Sequence, residues 1–281
     1  MPVSVRAPGF DLALSLASGQ FFRWSRQEDG SFAVVRGPVL FRVRQTGDLL
    51  RAEGVDEALL REFFALDQDL RPALRALRRD ERLRPALDAC RGLRILRQDP
   101  WECVAAFITS IASNIPRITR NVADIAAATG RPLQLGGLKA YAFPRPGEMP
   151  EEAALREMKL GFRAAYLARA ARLAASGLLE DVAHLPYDEA KRALMVLPGV
   201  AEKVADCVLL FAYGRLNAFP VDTWIRKTTL RLFFPRRRMS DRRLRAFAAE
   251  RWGGYAGYAQ QVLYHWSRSA PAPASPALVR A

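Results

Sequence analysis

The stretch 197–227, LPGVAEKVADCVLLFAYGRLNAFPVDTWIRK, constrains the fold more than any other. Leu-Pro-Gly-Val stands between two helix-like runs. Residues 188–196 lead in. Residues 202–213 lead out and are apolar on nearly every side, so they predict a buried helix. Pro198 cannot continue the first helix, and Gly199 permits a positive φ. Two helices joined by a tight turn are therefore expected over 188–213. The turn aims free backbone N–H groups outward at the start of the second helix. Those groups and the positive end of the helix dipole make a site for an anion.

Lys203 is out of place in this frame. A cation in the first turn of a helix sits at the wrong end of the dipole, beside apolar surface that disfavours its charge. An amine without its extra proton is a nucleophile. Asp222 follows 19 residues later in Phe-Pro-Val-Asp-Thr-Trp, just before another helical run over 223–234. Each residue alone has an ordinary reading. A lysine near a helix start is usually solvated, and an aspartate before a helix is usually an N-cap. Their conjunction with the turn gives them weight as a pair.

The formal net charge is +14, and only five of the 43 basic residues are lysine. Such a balance suits a polyanionic partner, and the arginine fork suits phosphate. A general bias toward arginine accounts for part of it. Cys90, Cys103 and Cys207 are widely spaced and form no CxxC pair, which predicts neither a disulfide framework nor a thiolate metal site. His184 and His265 are far apart, so no zinc site is expected. The chain shows no uninterrupted apolar run of membrane-spanning length and no secretory pattern at its start. A monomer in the cytoplasm is expected, associated with the nucleoid in a bacterium or in the nucleus of a eukaryote.

Taken in order, residues 1–54 read as strands and turns. Phe21, Phe22, Trp24, Phe32, Val34, Val35, Val39, Phe41 and Val43 favour strands, and glycines at 19, 30, 37 and 47 cut them. A small antiparallel sheet is expected. Residues 55–98 turn helical and rich in arginine, with Leu59, Leu60, Phe63 and Phe64 as an apolar stripe. A new unit begins at Asp99-Pro-Trp-Glu, where Asp99 caps, Pro100 opens the helix and Glu102 reaches back in a capping box. The next helix starts near Pro116 and ends at Gly130. Residues 131–150 read as a loop with short turns. Further helices are expected over 151–158, 163–176, 242–251 (capped by Asp241) and 255–266. The fold class is α+β: a sheet domain over 1–98, a helical domain over 99–269 and a disordered tail over 270–281.

Several segments carry a resemblance in order. SGQFFRW lies near the start and LRQDPWECVAAFITSIASNIPRIT in the middle. MKLGFRAAYL, LPGVAEKVADC, VDTW and YAGYAQQVLY follow. Together they resemble the helix-hairpin-helix DNA glycosylases, and within that superfamily the 8-oxoguanine DNA glycosylases with lyase activity. The resemblance implies that duplex DNA containing 8-oxoguanine is the partner and that the damaged nucleotide is rotated out into a pocket. It implies that Lys203 attacks C1′ to form a Schiff base, followed by β-elimination, while Asp222 stabilises the developing charge. Gly19, through its carbonyl, Cys207, Gln260 and Tyr264 are implied to surround the base. Asn114, Arg117, Phe162 and Arg163 are implied to fill the hole and read the orphaned cytosine. Gly199, Val200 and Ala201 are implied to grip a phosphate, with a monovalent cation on the carbonyls of Met195, Leu197 and Val200. No cofactor is required for catalysis on this reading. No cysteine follows Cys207, so the iron–sulfur loop of some relatives is not expected.

Three departures stand out. Ala201 occupies a position that is usually glycine, at little cost if its φ is negative. Ala112 replaces an asparagine that inserts opposite the lesion. Trp224 stands where the fuller pattern has a histidine near a phosphate. Two other functions fit parts of the pattern: a monofunctional glycosylase for alkylated bases, which needs no hairpin lysine, and a non-catalytic DNA-binding module, which needs no Asp222.

Overall fold

A computed structural model of the protein describes residues 2–269. Five antiparallel strands form the first layer: β1 (Val3–Arg6), β2 (Trp24–Arg26), β3 (Phe32–Arg36), β4 (Val39–Thr46) and β5 (Leu49–Glu53), in the order β1-β5-β4-β3-β2. The register pairs Val34 with Phe41 and Val43 with Ala52, which brings apolar side chains onto one face. That face packs on Leu60, Phe63 and Phe64 of the following helical stripe, with Phe41 edge-on to both phenylalanines. The expected sheet is present. A short helix, α1 (Leu12–Ala17), interrupts the strand-like region, because the Asp11 carboxylate accepts from Leu14 N–H at 2.8 Å and caps it.

The rest is mostly helical. Helices α2 (Glu57–Phe63), α3 (Arg71–Leu77) and α4 (Arg84–Ala89) lead to α5 (Pro100–Thr109) and α6 (Ile115–Thr129). Then come α7 (Glu152–Glu157), α8 (Arg163–Ala174), α9 (Leu178–Val182) and α10 (Tyr187–Leu194). The chain continues through α11 (Glu202–Phe211), α12 (Thr223–Phe233), α13 (Asp241–Trp252) and α14 (Ala256–Ser269). Helix α5 is the hub: every residue from Trp101 to Thr109 is buried, and it packs on α6, α8 and α11.

Several expectations need correction. Residues 131–150 are not only loop: β6 (Pro132–Leu135) and β7 (Leu138–Tyr141) form a hairpin closed by Gly136-Gly137 and packed against β4. The two hydrophobic cores interleave ahead of residue 99. Leu70, Leu77, Leu83, Leu87 and Ile95 belong to the helical core, whereas Leu96 belongs to the sheet core. Asp99 caps α5 by accepting from Glu102 N–H at 2.9 Å, but Glu102 does not reach back. Its buried carboxylate instead accepts from Gly37 N–H at 2.9 Å and faces Arg23 at 3.6 Å, tying the sheet to α5. Burial raises the Glu102 carboxyl to about 7 against the pull of Arg23. The cap of α13 is Ser240, with Asp241 in the first turn. The proposed tail, 270–281, lies outside the described residues.

Candidate active site

The turn between α10 and α11 is built as its residues dictate. Gly199 has φ +84°, and a Cβ there would lie 3.0 Å from Cβ of Tyr166, so both conformation and space call for glycine. Val200 N–H closes the turn on the Leu197 carbonyl at 3.0 Å. Ala201 precedes α11 at φ −88°, so alanine is unstrained there, and no side chain caps the helix. The first-turn N–H groups therefore lack an intrahelical partner and face outward as an anion site. Behind the turn, the buried Asp206 carboxylate fastens the two helices. It accepts from the Tyr187 hydroxyl at 2.6 Å and pairs with Lys191 at 2.8 Å, both on α10. Among the described residues, no main-chain donor bonds the carbonyls of Met195 or Val200, while Leu197 accepts only the bond from Val200.

Lys203 and Asp222 sit at the starts of α11 and α12 and line one cavity of about 750 Å³. The Lys203 amine donates to Ser110 Oγ at 3.1 Å and lies 5.2 Å from the centre of the Phe107 ring. Ser110 in turn donates to the Phe107 carbonyl at 2.7 Å, which turns its lone pairs toward the amine. Asp222 accepts from Ile225 N–H at 2.8 Å, so it is a cap and a cavity group together. Burial raises its carboxyl above the usual range, against the pull of the Ile225 and Trp224 N–H groups and of the Lys203 and Arg268 charges.

Gly19, Cys207, Gln260 and Tyr264 line the same cavity. Gly19 has φ +81°, and a Cβ would come within 2.8 Å of Arg268 Nη1 and 3.0 Å of the Tyr264 ring. Burial pushes the Cys207 thiol up to about 12, so it presents a neutral, polarisable sulfur at physiological pH. Gln260 Oε1 is buried with no hydrogen-bond partner among the described residues. A buried acceptor of that kind costs stability until a ligand donor meets it.

The residues assigned to the opposite strand divide. Asn114 caps α6 by accepting from Arg117 N–H at 3.0 Å, and the Arg117 guanidinium donates to the Lys159 carbonyl at 2.9 Å. Phe162 is 49% exposed, edge-on to Tyr166, and carries the Arg163 guanidinium 4.6 Å from its ring centre. Arg163 does not fit the role of base reader in this conformation. It is buried, and its guanidinium donates to the carbonyls of Ile111 at 2.6 Å, Leu160 at 3.2 Å and Ala112 at 2.8 Å. It braces the turn beneath the helices.

Comparison with known proteins identifies the family. The N-terminal domain of 8-oxoguanine DNA glycosylase matches residues 2–104. A probable N-glycosylase/DNA lyase of Methanothermobacter thermautotrophicus is 31% identical, with 92% of this chain and 94% of the relative covered. The chain belongs to the 8-oxoguanine DNA glycosylase family. N-glycosylase/DNA lyase OGG1 of Arabidopsis thaliana is 30% identical over 94% of this chain and 79% of the plant protein. The crystal structure of the Clostridium acetobutylicum 8-oxoguanine glycosylase/lyase, in complex with duplex DNA containing cytosine opposite 8-oxoguanine, superposes with TM-score 0.90 at 33% identity. That match covers 95% of each chain.

Two of the positions that the resemblance marks as departures lie at the site. Ala112 and Trp224 both line the cavity, and Ala112 has φ +47°. Sequence reasoning missed Ser110 and Arg268, which also line it. Ser110 is a polar break at the end of an otherwise buried α5, a signal too weak to select it. Arg268 is one arginine among many.

Proposed function

We infer that this chain excises 8-oxoguanine from duplex DNA and then nicks the strand as an AP lyase. The observation that carries the reading is the meeting of a lysine amine, a half-buried carboxylate and an unpartnered glutamine acceptor in one cavity beside an anion-binding turn. A base cannot be reached within the stack, so the nucleotide rotates out, and the turn grips its backbone. Cys207 and Tyr264 flank the purine. Gln260 Oε1 accepts from its Watson–Crick edge, and the Gly19 backbone approaches it closely.

The Lys203 amine attacks C1′ as the bond to the base breaks, and the base leaves with the bonding electrons. Loss of the amine proton and opening of the sugar give a Schiff base. Removal of a C2′ proton then expels the 3′ phosphate. Asp222 holds negative charge beside the sugar as positive charge develops there. A monovalent cation, bound by the carbonyls of Met195, Leu197 and Val200, would add positive charge at the gripped phosphate. The free carbonyls of Met195 and Val200 suit that ion.

Borohydride trapping tests the assignment. The parent protein should form a covalent adduct with 8-oxoguanine duplex, and Lys203→Gln should bind the duplex while forming none. Excision by Lys203→Gln at the parent rate would show that another group attacks the sugar. A monofunctional glycosylase would give base release without an adduct, and a binding module neither.

A further inference from the structure

Arg268 is brought into the base cavity from the last turn of α14. Its Nη1 lies 2.8 Å from where a Cβ on Gly19 would stand, and its guanidinium carbon is 5.1 Å from the centre of the Tyr264 ring. The arginine thus rests on two elements that form the base pocket, one from each end of the chain. The other two cations lining the cavity are engaged. Lys203 donates to Ser110, and Arg226 pairs with Asp241. Among the described residues, Arg268 has no carboxylate within ion-pair distance, yet its charge acts on Asp222. Trp224, 48% exposed on the same cavity, brings no charge.

A guanidinium only donates hydrogen bonds, so what it meets must be an acceptor. Tyr264 and Cys207 take the faces of the everted base and Gln260 its Watson–Crick edge, whereas Arg268 is exposed at the end of α14, on the solvent side where the backbone of that nucleotide must run. We propose that Arg268 binds the phosphodiester of the everted nucleotide and anchors it at the mouth of the base cavity. The proposal rests on the reading that a nucleotide is everted here, and it adds a contact made to phosphate, independent of which base is damaged. The planar fork can bind two phosphate oxygens, which a lysine at the same position cannot do.

The test is anisotropy titration of full-length parent, Arg268→Ala and Arg268→Lys over a salt series. The probes are three duplexes, carrying a tetrahydrofuran abasic analogue, 8-oxoguanine or no lesion. Low temperature without prolonged incubation limits turnover of the 8-oxoguanine duplex. Arg268→Ala should weaken binding to the abasic duplex about tenfold or more at low salt, as expected for loss of a charge-assisted bond. The 8-oxoguanine duplex should lose as much. The salt slope should become shallower by about 0.9, the value for one phosphate contact. Arg268→Lys should keep the slope and part of the affinity, which separates charge from packing. A loss confined to the 8-oxoguanine duplex would assign Arg268 to the base and overturn the proposal. So would an unchanged slope, which would leave only packing against Tyr264. A parent protein without preference for the abasic over the undamaged duplex would overturn the glycosylase reading itself and this proposal with it.

Discussion

The Lys203 amine donates to the Ser110 hydroxyl across 3.1 Å, although 93 positions separate the two residues in the chain. The hydroxyl proton is already given to the Phe107 carbonyl, so Ser110 can only accept from the lysine. A flexible four-carbon side chain is thereby held in one direction, over the Phe107 ring and into the cavity.

Ser110→Ala should therefore slow excision by about three- to tenfold, the range expected for the net worth of one hydrogen bond. Affinity for an abasic duplex should not change, because the hydroxyl contacts the nucleophile and not the backbone grip. Ser110→Thr keeps the hydroxyl and should recover most of the rate. Single-turnover excision and trapping rates, normalised to folded protein, decide it. An alanine variant as fast as the parent would mean that the lysine needs no guide.

Asp222→Asn should lower the excision rate by about two to three orders of magnitude, a typical loss for one aligned electrostatic group. Stability should behave differently. The unfolded carboxyl titrates near 3.8, and burial raises the folded one above that. Between the two values the folded chain binds more protons than the unfolded, so raising pH through that window lowers stability. Asparagine caps a helix about as well and carries no charge to bury. The variant should accordingly melt at or above the parent temperature at neutral pH. Parent activity should fall as pH drops through the raised value, where the carboxylate is lost. A much lower melting temperature with normal turnover per folded molecule would reduce Asp222 to a cap.

Selectivity for the opposing base should be loose. Ala112 offers no polar group, Arg163 is held by three carbonyls and Arg117 by one, so fixed polar contacts to the opposing base are few among the assigned residues. Each good polar base contact contributes roughly 1–3 kcal/mol of discrimination. Excision should be measurable opposite cytosine and, appreciably, opposite the other bases. Four duplexes differing only in the opposing base test this in single turnover. A cytosine preference above about a thousandfold, some 4 kcal/mol, would show that Ser113, Asn114 or another residue replaces the lost contact. The backbone adds a second test. Ala112 has φ +47°, where alanine is strained by roughly 1–2 kcal/mol and asparagine is tolerated. Ala112→Asn should raise the melting temperature and the cytosine preference together.

The sequence by itself determined what local rules govern. Pro198 and Gly199 set the turn, Lys203 and Asp222 marked the two helix starts, and strand-favouring residues cut by glycines announced the sheet. Those effects act within a few residues, so they survive without a structure. The resemblance then supplied Gly19, Cys207, Gln260 and Tyr264, and the tertiary structure gathers all four at one cavity. Short elements escaped, because the six residues of α1 and the four-residue strands β6 and β7 are too brief for a periodic signal. Only packing decided that Glu102 turns to Gly37 and Arg23 rather than back along its own helix, and that Leu70 to Ile95 joins the helical core. Only packing turned Arg163 inward, brought Ser110 to Lys203 and laid Arg268 against Gly19. An arginine or serine carries no local mark of its eventual partner. That partner is fixed when distant segments bury a common apolar surface, and the polar groups carried inward must then find one another.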